Sequence, residues 1–316
     1  MDQNIIQQNL QLLIGQDRAK LLLTNQTRIG QHPAYLLVGP PKIGKGFLAR
    51  LMAASWHSVM YSKSPHPDTM IFDDILNKNS VTGEDNQWKK STDDFIHFMH
   101  LSPAVSNIKV GIIEDIDRFS VGALNSLLKT IEEPPTKTVF ILTAQEISNV
   151  LPTIISRVQL IRLGYLSDQH ITQYLNQIGA DHINEITVLA NGAVGLAKKL
   201  ANDPDVLQSA LGNVTALQEI LQKNIIALTK SAQIKDREEA MEVLKIWINL
   251  IHRAMLLKMG QPVLSLIDDA VKGYSAEILI DLISSLQDAL AGITDNANVR
   301  ITLEAALLPM VSENRV

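Results

Sequence analysis

A parallel α/β sheet domain followed by an all-helical remainder is the fold class this sequence predicts. Three observations carry that expectation. Short apolar runs alternate with helix-like segments as far as about residue 164. After Gly164 the strand signal stops and only helical patterning continues. The first apolar run, Ala34–Val38, passes through a glycine-bounded loop straight into a helical pattern, which is the strand–loop–helix order of a phosphate-binding unit.

Composition fits. The chain has 316 residues, enough for two or three domains, and 46% are apolar. Aromatics are 4%, while Leu, Ile and Ala abound, which favours helices. The net charge of −5 argues against strong nucleic-acid binding by the chain alone, although a local basic face remains open. With no cysteine, a disulfide framework and a thiolate zinc site are both excluded. No apolar run is long enough to span a membrane, and the N-terminus lacks the pattern of a signal peptide. A soluble cytoplasmic protein without a membrane partner is the expectation.

Taken in order, residues 4–30 read as helix, with Ile5, Ile6, Leu10, Leu13 and Ile14 near helical spacing and Gly15 between two apolar sets. The helix after the loop is expected to run to about Met60. Thr69–Phe72 suits a second strand, and residues 77–91 a loop or weak hairpin. A helix is expected from Thr92, with Thr92 as its cap and Asp93 and Asp94 in its first turn. Lys109–Asp115 suits a strand buried on both faces, ending in two acids. A helix over Val121–Ile131 stops before Pro134-Pro135, and strands follow at Thr138–Thr143 and Gln159–Leu163, with a short turn or helix between them at Leu151–Arg157. Residues 167–203 read as three short helices, and everything from about 209 as helix, with Ala240–Met259 apolar on most faces.

The chemistry centres on Gly39-Pro40-Pro41-Lys42-Ile43-Gly44-Lys45-Gly46. Gly39 and Gly44 permit the tight turn that aims amide groups at phosphate oxygens. The helix N-terminus adds positive potential, and Lys45 reaches the terminal phosphates. A working loop places Ser or Thr after the lysine as a Mg²⁺ ligand, whereas Gly46 offers no oxygen. Glu114-Asp115 stand at the end of a strand, where ligands of parallel sheets bind. By spacing alone, a metal-and-water pair and a plain cap or salt-bridge pair are equally good readings. Arg157 taken alone reads as a solvated surface group.

Spread through the chain are Gly15-Gln16-Asp17, His32-Pro33-Ala34-Tyr35-Leu36, His66-Pro67-Asp68, Asn125-Ser126-Leu127-Leu128-Lys129-Thr130-Ile131-Glu132-Glu133-Pro134-Pro135, Leu151-Pro152-Thr153-Ile154-Ile155-Ser156-Arg157-Val158, and Leu303-Glu304-Ala305-Ala306-Leu307-Leu308. On these residues the chain resembles the AAA+ subunits of bacterial DNA polymerase III clamp loaders, over nearly its whole length. The resemblance implies a RecA-like AAA+ domain over 1–164, a small helical lid over 165–208 and an all-α collar over 209–316 that oligomerises. It implies partners as well: gamma/tau and delta subunits, the sliding clamp, and primed DNA through the complex.

Two kinds of subunit share these motifs, an ATP-hydrolysing motor of gamma/tau type and a delta-prime-like stator that keeps the fold without the chemistry. Several departures favour the stator. Gly46 lacks the hydroxyl, the acids run Glu114-Asp115 rather than Asp-Glu, Ala144 stands at the sensor 1 position beside Thr143, and Gly192–Ala197 lacks the sensor 2 arginine. In the family, the arginine matching Arg157 serves the ATP of the neighbouring subunit, so a stator supplying Arg157 in trans is the expected function. A catalytically active motor is the alternative. Weak or absent ATPase activity of the chain alone is expected, with Gly39, Gly44, Lys45, Gly46, Glu114 and Asp115 forming a degenerate nucleotide site that holds at most unhydrolysed ATP. Both kinds of subunit usually carry a four-cysteine zinc module after the P-loop helix. Here Ser58 replaces its first cysteine and the module looks deleted, so His57 and His66 read as structural and no zinc or other metal is expected. Arg118 and Lys129 are candidate interface or DNA-side charges, with a solvated role the stronger expectation.

Overall fold

A computed structural model of the chain describes residues 3–25, 33–73, 86–119, 121–224 and 236–312, with positions 226, 229 and 234 between the last two segments. Two compact units are present, Met1–Leu166 and Ser167–Val316.

The first unit is built on five strands: β1 (Ala34–Val38), β2 (Thr69–Asp73), β3 (Lys109–Glu114), β4 (Thr138–Ala144) and β5 (Gln159–Arg162). They form one sheet in the order β2-β3-β4-β1-β5, with every pairing parallel. Parallel strands need crossovers, and the helices that supply them cover both faces. The faces follow from side-chain alternation. Tyr35, Leu37, Val110, Ile112, Val139 and Ile141 point to one face, where they pack with α1 (Gln3–Gln11) and α3 (Lys45–Trp56). Leu36, Val38, Ile113, Phe140, Leu142 and Ala144 point to the other, against α4 (Asn86–His100), α5 (Val121–Glu132) and the single turn α6 (Pro152–Ile155). Central β1 and β4 are buried throughout, which is why both read as unbroken apolar runs rather than alternating ones.

Local differences from the sequence expectation have physical causes. The N-terminal helix is two helices, α1 and α2 (Asp17–Asn25), because Gly15 and Gln16 both take positive φ, 54° and 55°. Residues 26–30 of that expected helix lie outside the described residues. The P-loop helix ends at Trp56, not near Met60, since Ser58 turns to φ 57° and the chain leaves the helix there. Helix α4 starts at Asn86, so Thr92 is no cap: it lies inside the helix and is buried. The polar composition of 86–91 hid that helix, and residues 77–85 of the expected loop lie outside the described residues.

The second unit is helical among its described residues: α7 (Asp168–Gln177), α8 (Ile183–Ala190), α9 (Val194–Asn202), α10 (Pro204–Leu221), α11 (Arg237–Lys258), α12 (Ala276–Thr294) and α13 (Val299–Ser312). Side-chain caps mark four helix starts: Ser167, Asp203, Asp236 and Ser275 each accept an amide from the first turn that follows. Helix α11 is the 22-residue spine. It buries Val243, Leu244, Trp247, Leu250, Ile251 and Ala254, and the Trp247 indole donates to the Asn213 carbonyl at 2.9 Å. Residues 259–275 are turns rather than helix, broken by Gly260 at φ 80°.

Candidate functional site

The carboxyl ends of β1, β3 and β4 meet at one edge of the sheet, and the predicted loop and acids converge there. The Gly39 amide donates to the Ala144 carbonyl at 3.2 Å, anchoring the loop to β4 as β1 ends. A side chain at position 39 would lie 2.5 Å from the Leu163 carbonyl, so only glycine fits. Gly44 caps α3 at φ 102°, a conformation that other residues rarely take. Lys42 also sits at positive φ, 59°. The loop therefore has the left-handed turns that point successive amides inward.

Lys45, 7% exposed, folds back over the loop and donates to the carbonyls of Gly39 (2.8 Å) and Pro40 (2.9 Å). Burial lowers its pKa, while the facing carboxylates of Asp115 and Asp117 counter that shift. Asp115 follows β3 in a left-handed turn at φ 48°, and its amide donates to the Thr143 hydroxyl at 2.8 Å. Burial pushes Asp115 upward against the pull of Lys45, and Asp117 adds to the rise. By alternation along β4, Thr143 shares the α3 face with Ile141, whereas Ala144 packs on the opposite one. The hydroxyl nearest the acids thus comes from Thr143.

Of the two readings that spacing left open for Glu114, the structure shows the salt bridge. Glu114 Oε1 lies 2.5 Å from Nη1 of Arg50, and the same Nη1 donates to the Gly46 carbonyl at 2.9 Å. Sequence reasoning passed over Arg50. The available signal was its spacing, since positions 46 and 50 share a helix face one turn apart. It also missed Asp117, whose Oδ2 accepts the amides of Gln145 (2.8 Å) and Glu146 (3.1 Å), tying the turn after β3 to the turn after β4. The other Asp117 oxygen is buried without a hydrogen-bond partner.

Mg²⁺, which a working loop of this kind uses, does not fit the groups present. Position 46 has no side-chain oxygen, and the nearest carboxylate is committed to a guanidinium. The other two acids, Asp115 and Asp117, both face Lys45, and one Asp117 oxygen already accepts the amides of Gln145 and Glu146.

Arg157 stands apart from this cluster. It follows α6, and its Nη1 lies 3.1 Å from the Thr153 carbonyl, 3.2 Å from the Ser156 hydroxyl and 3.6 Å from Oε1 of Glu132. Its side chain is 45% exposed. All three contacts use the same nitrogen. Glu132 ends α5, so two widely separated motifs, the Glu132-Glu133-Pro134-Pro135 turn and the Ser156-Arg157 pair, meet at this one ion pair.

The residues flanking the point where the zinc module looks deleted are tied down. His57 Nδ1 is 2.9 Å from the Ser106 hydroxyl and Nε2 is 2.8 Å from the Thr69 hydroxyl. The His66 ring stacks on His57 at 4.0 Å. Asp68, with no exposed surface, accepts the amides of Ala104 (2.6 Å), Val105 (2.8 Å) and Ser106 (2.7 Å). The His66-Pro67-Asp68 motif thus pins the loop that leads into β3. Among the described residues, no group of three or more His, Asp or Glu side chains is placed to hold a metal ion.

Comparison with known proteins bears on the same residues. A family model described as DNA polymerase III, delta subunit matches residues 15–167, the stretch that carries the loop, both acids and Arg157. DNA polymerase III subunit gamma of Buchnera aphidicola subsp. Acyrthosiphon pisum is 27% identical over 251 residues, covering 73% of this chain and 70% of that protein. Over these stretches the chain is similar to the subunits of DNA polymerase III clamp loaders. Other relatives in this clamp-loader family carry different subunit names. Subunit tau of Bacillus subtilis is 26% identical over 306 residues, covering 90% of this chain but 52% of its own length, so this chain spans about half of that protein. Subunit delta' of Pseudomonas aeruginosa is 25% identical over 217 residues, 61% of this chain and 63% of that one. Identities this similar do not separate gamma/tau type from delta-prime type, and the choice between them falls to the site. Among the described residues no helix is long and apolar enough to cross a membrane.

Proposed function

We propose that this chain is a delta-prime-like clamp-loader stator. It assembles with gamma/tau-type and delta-type subunits, helps to place the sliding clamp on primed DNA, and presents Arg157 to the nucleotide held by a neighbouring subunit. Within this reading, residues 165–208 form the lid and 209–316 the collar that holds the assembly together. The observation that carries it is the state of Arg157. Among the described residues the guanidinium is steadied through Nη1, and its other nitrogens have no hydrogen-bond partner there. An arginine given in trans needs that arrangement, anchored on one side and open on the other.

The chain's own loop supports the same reading from the opposite direction. It keeps its turn and its lysine, but the metal-binding chemistry is absent. A trans arginine stabilises charge on the transferring phosphoryl group and raises the rate by about 10³–10⁵-fold, roughly 4–7 kcal/mol of barrier. The test is ATP hydrolysis by a reconstituted assembly with the motor and delta-type partners, comparing the natural chain with Arg157→Ala. The expected result is a fall of several hundred-fold or more at the site that Arg157 serves, with assembly unchanged by gel filtration. Hydrolysis unaffected by Arg157→Ala would refute the stator reading.

A second reading, an ATP-hydrolysing motor, draws on the intact turn at Gly44 and the buried Lys45. It predicts Mg²⁺-dependent turnover by the purified chain that Lys45→Ala abolishes. The stator reading expects little or none.

A further inference from the structure

We propose that the Arg50 guanidinium takes the place of the divalent cation in this loop, so that the P-loop excludes metal by construction. Nη1 bridges the Gly46 carbonyl, in the first turn of α3, and Oε1 of Glu114, at the end of β3. Those are the two elements between which a cation held by a hydroxyl and a strand-end carboxylate would lie. Position 46 supports the same conclusion from a separate measurement. A Cβ placed there would lie 2.5 Å from Glu114 Oε1 and 2.9 Å from Arg50 Nη1. A Ser or Thr side chain there would require the two charged ends to move aside. The lost hydroxyl and the ion pair are therefore a single change. Glycine at 46 admits the pair, and the pair fills the space a metal ligand would need.

Charge acts in the same direction. Beside a guanidinium a dication meets repulsion instead of a free carboxylate, and the two partners are only 33% and 19% exposed, so water screens them incompletely. Mg²⁺ also requires a near-octahedral set of oxygens and gives up its waters reluctantly. The inference concerns the local loop and does not depend on what Arg157 does. It has a mechanical corollary: the pair ties α3 to β3 without a ligand, a link that bound nucleotide and metal would otherwise provide.

The experiment is capture of Mn²⁺, a spectroscopic stand-in for Mg²⁺, in the presence of ADP. Electron paramagnetic resonance follows free Mn²⁺, and thermal melts are run in parallel with ADP plus either Mg²⁺ or EDTA. The natural chain is expected to capture no Mn²⁺ beyond that held by ADP alone, and its melting temperature in ADP is expected to be the same with Mg²⁺ as with EDTA. Gly46→Thr alone must push the pair aside but keeps Arg50 as the counter-ion of Glu114, so it should gain less Mn²⁺ capture than the double variant. Gly46→Thr combined with Arg50→Ala, which restores the hydroxyl and frees Glu114, should capture Mn²⁺ with ADP at least tenfold more tightly than the natural chain and melt higher with Mg²⁺ than with EDTA. Circular dichroism checks that the double variant is folded. If it is not, Arg50→Ala alone should show the same gain more weakly. Mn²⁺ capture by the natural chain would overturn the proposal, and so would the absence of any gain in both Arg50→Ala variants.

Discussion

His57 should make this protein acid-labile in a defined window. Its ring, 8% exposed, has a pKa lowered from 6.5 to about 4. Burial is the main cause, the stacked His66 ring adds to it, and Asp68 pulls the other way. The hydrogen bonds account for the neutral form. The Ser106 hydroxyl donates to the Ile108 carbonyl at 2.6 Å, so toward His57 it acts as an acceptor. Nδ1 then carries the proton, and Nε2 accepts from the Thr69 hydroxyl. A second proton would have to replace that accepting contact in a buried site.

Below pH 6.5 the unfolded chain therefore takes up a proton that the native chain refuses. Stability from this group is complete above pH 6.5, falls as pH drops toward 4, and is flat below that. About two and a half pH units at ~1.36 kcal/mol each give a loss of about 3 kcal/mol across the window. Against a typical total of about 5–15 kcal/mol, that is large enough to measure. The assay is urea unfolding at a series of pH values from 7.5 to 4, comparing the natural chain with His57→Gln, whose amide can still meet both hydroxyls but does not titrate. The variant should lose less stability than the natural chain over this window, by up to about 3 kcal/mol. Asp68 does not confuse the comparison. Burial alone would raise it, but the amides of Ala104, Ser106 and Val105 prevail and hold it at about 2 against an ordinary 3.8. Its contribution is thus lost only between about pH 3.8 and 2. Parallel stability curves for the two proteins would refute the argument.

Three further predictions test other parts of the molecule. Asp68→Asn removes a charged acceptor from three amides and should cost on the order of 3 kcal/mol in urea unfolding near pH 7. Trp247→Phe keeps the ring in the spine of the second unit but leaves the Asn213 carbonyl without its donor, so a loss of about 1–2 kcal/mol is expected in the same assay. In a reconstituted assembly, Glu132→Gln should lower kcat for ATP about tenfold with little change in KM, because Arg157 loses its charged anchor. Glu132→Asp should recover part of that loss.

The framework was legible in the sequence because burial leaves little choice. Strands β1, β3 and β4 are covered on both faces, so they appear as apolar runs that no surface pattern interrupts. The loop was legible for a different reason: its turn demands glycine at 39 and 44, and both stand in the sequence. What escaped was decided by contacts between distant positions. Arg50 reads as an ordinary polar residue of a helix, and only the fold reveals that its partner lies 64 positions away in Glu114. Asp117 and Glu132 were hidden in the same way. The start of α4 was missed because Gln87, Lys89 and Lys90 carry no apolar period, and tertiary packing of Phe95 and Met99 sustains a helix that local pattern does not announce.

A loop that keeps its shape while losing its metal ligands needs a physical reason to hold together without a ligand. The contacts within the chain provide one. Lys45 satisfies the carbonyls of Gly39 and Pro40, Arg50 joins Gly46 to Glu114, and Asp117 fastens the turn after β3 to the turn after β4. In a nucleotide-driven subunit, contacts across these elements change as phosphate and metal come and go, and that change is the source of motion. Here the bonds are made from side chains that never leave. On the stator reading proposed above, a subunit wired in this way responds to nucleotide at a surface it shares with another subunit. On that reading Arg157, whose contacts with the described residues all use Nη1, turns its other nitrogens to that surface.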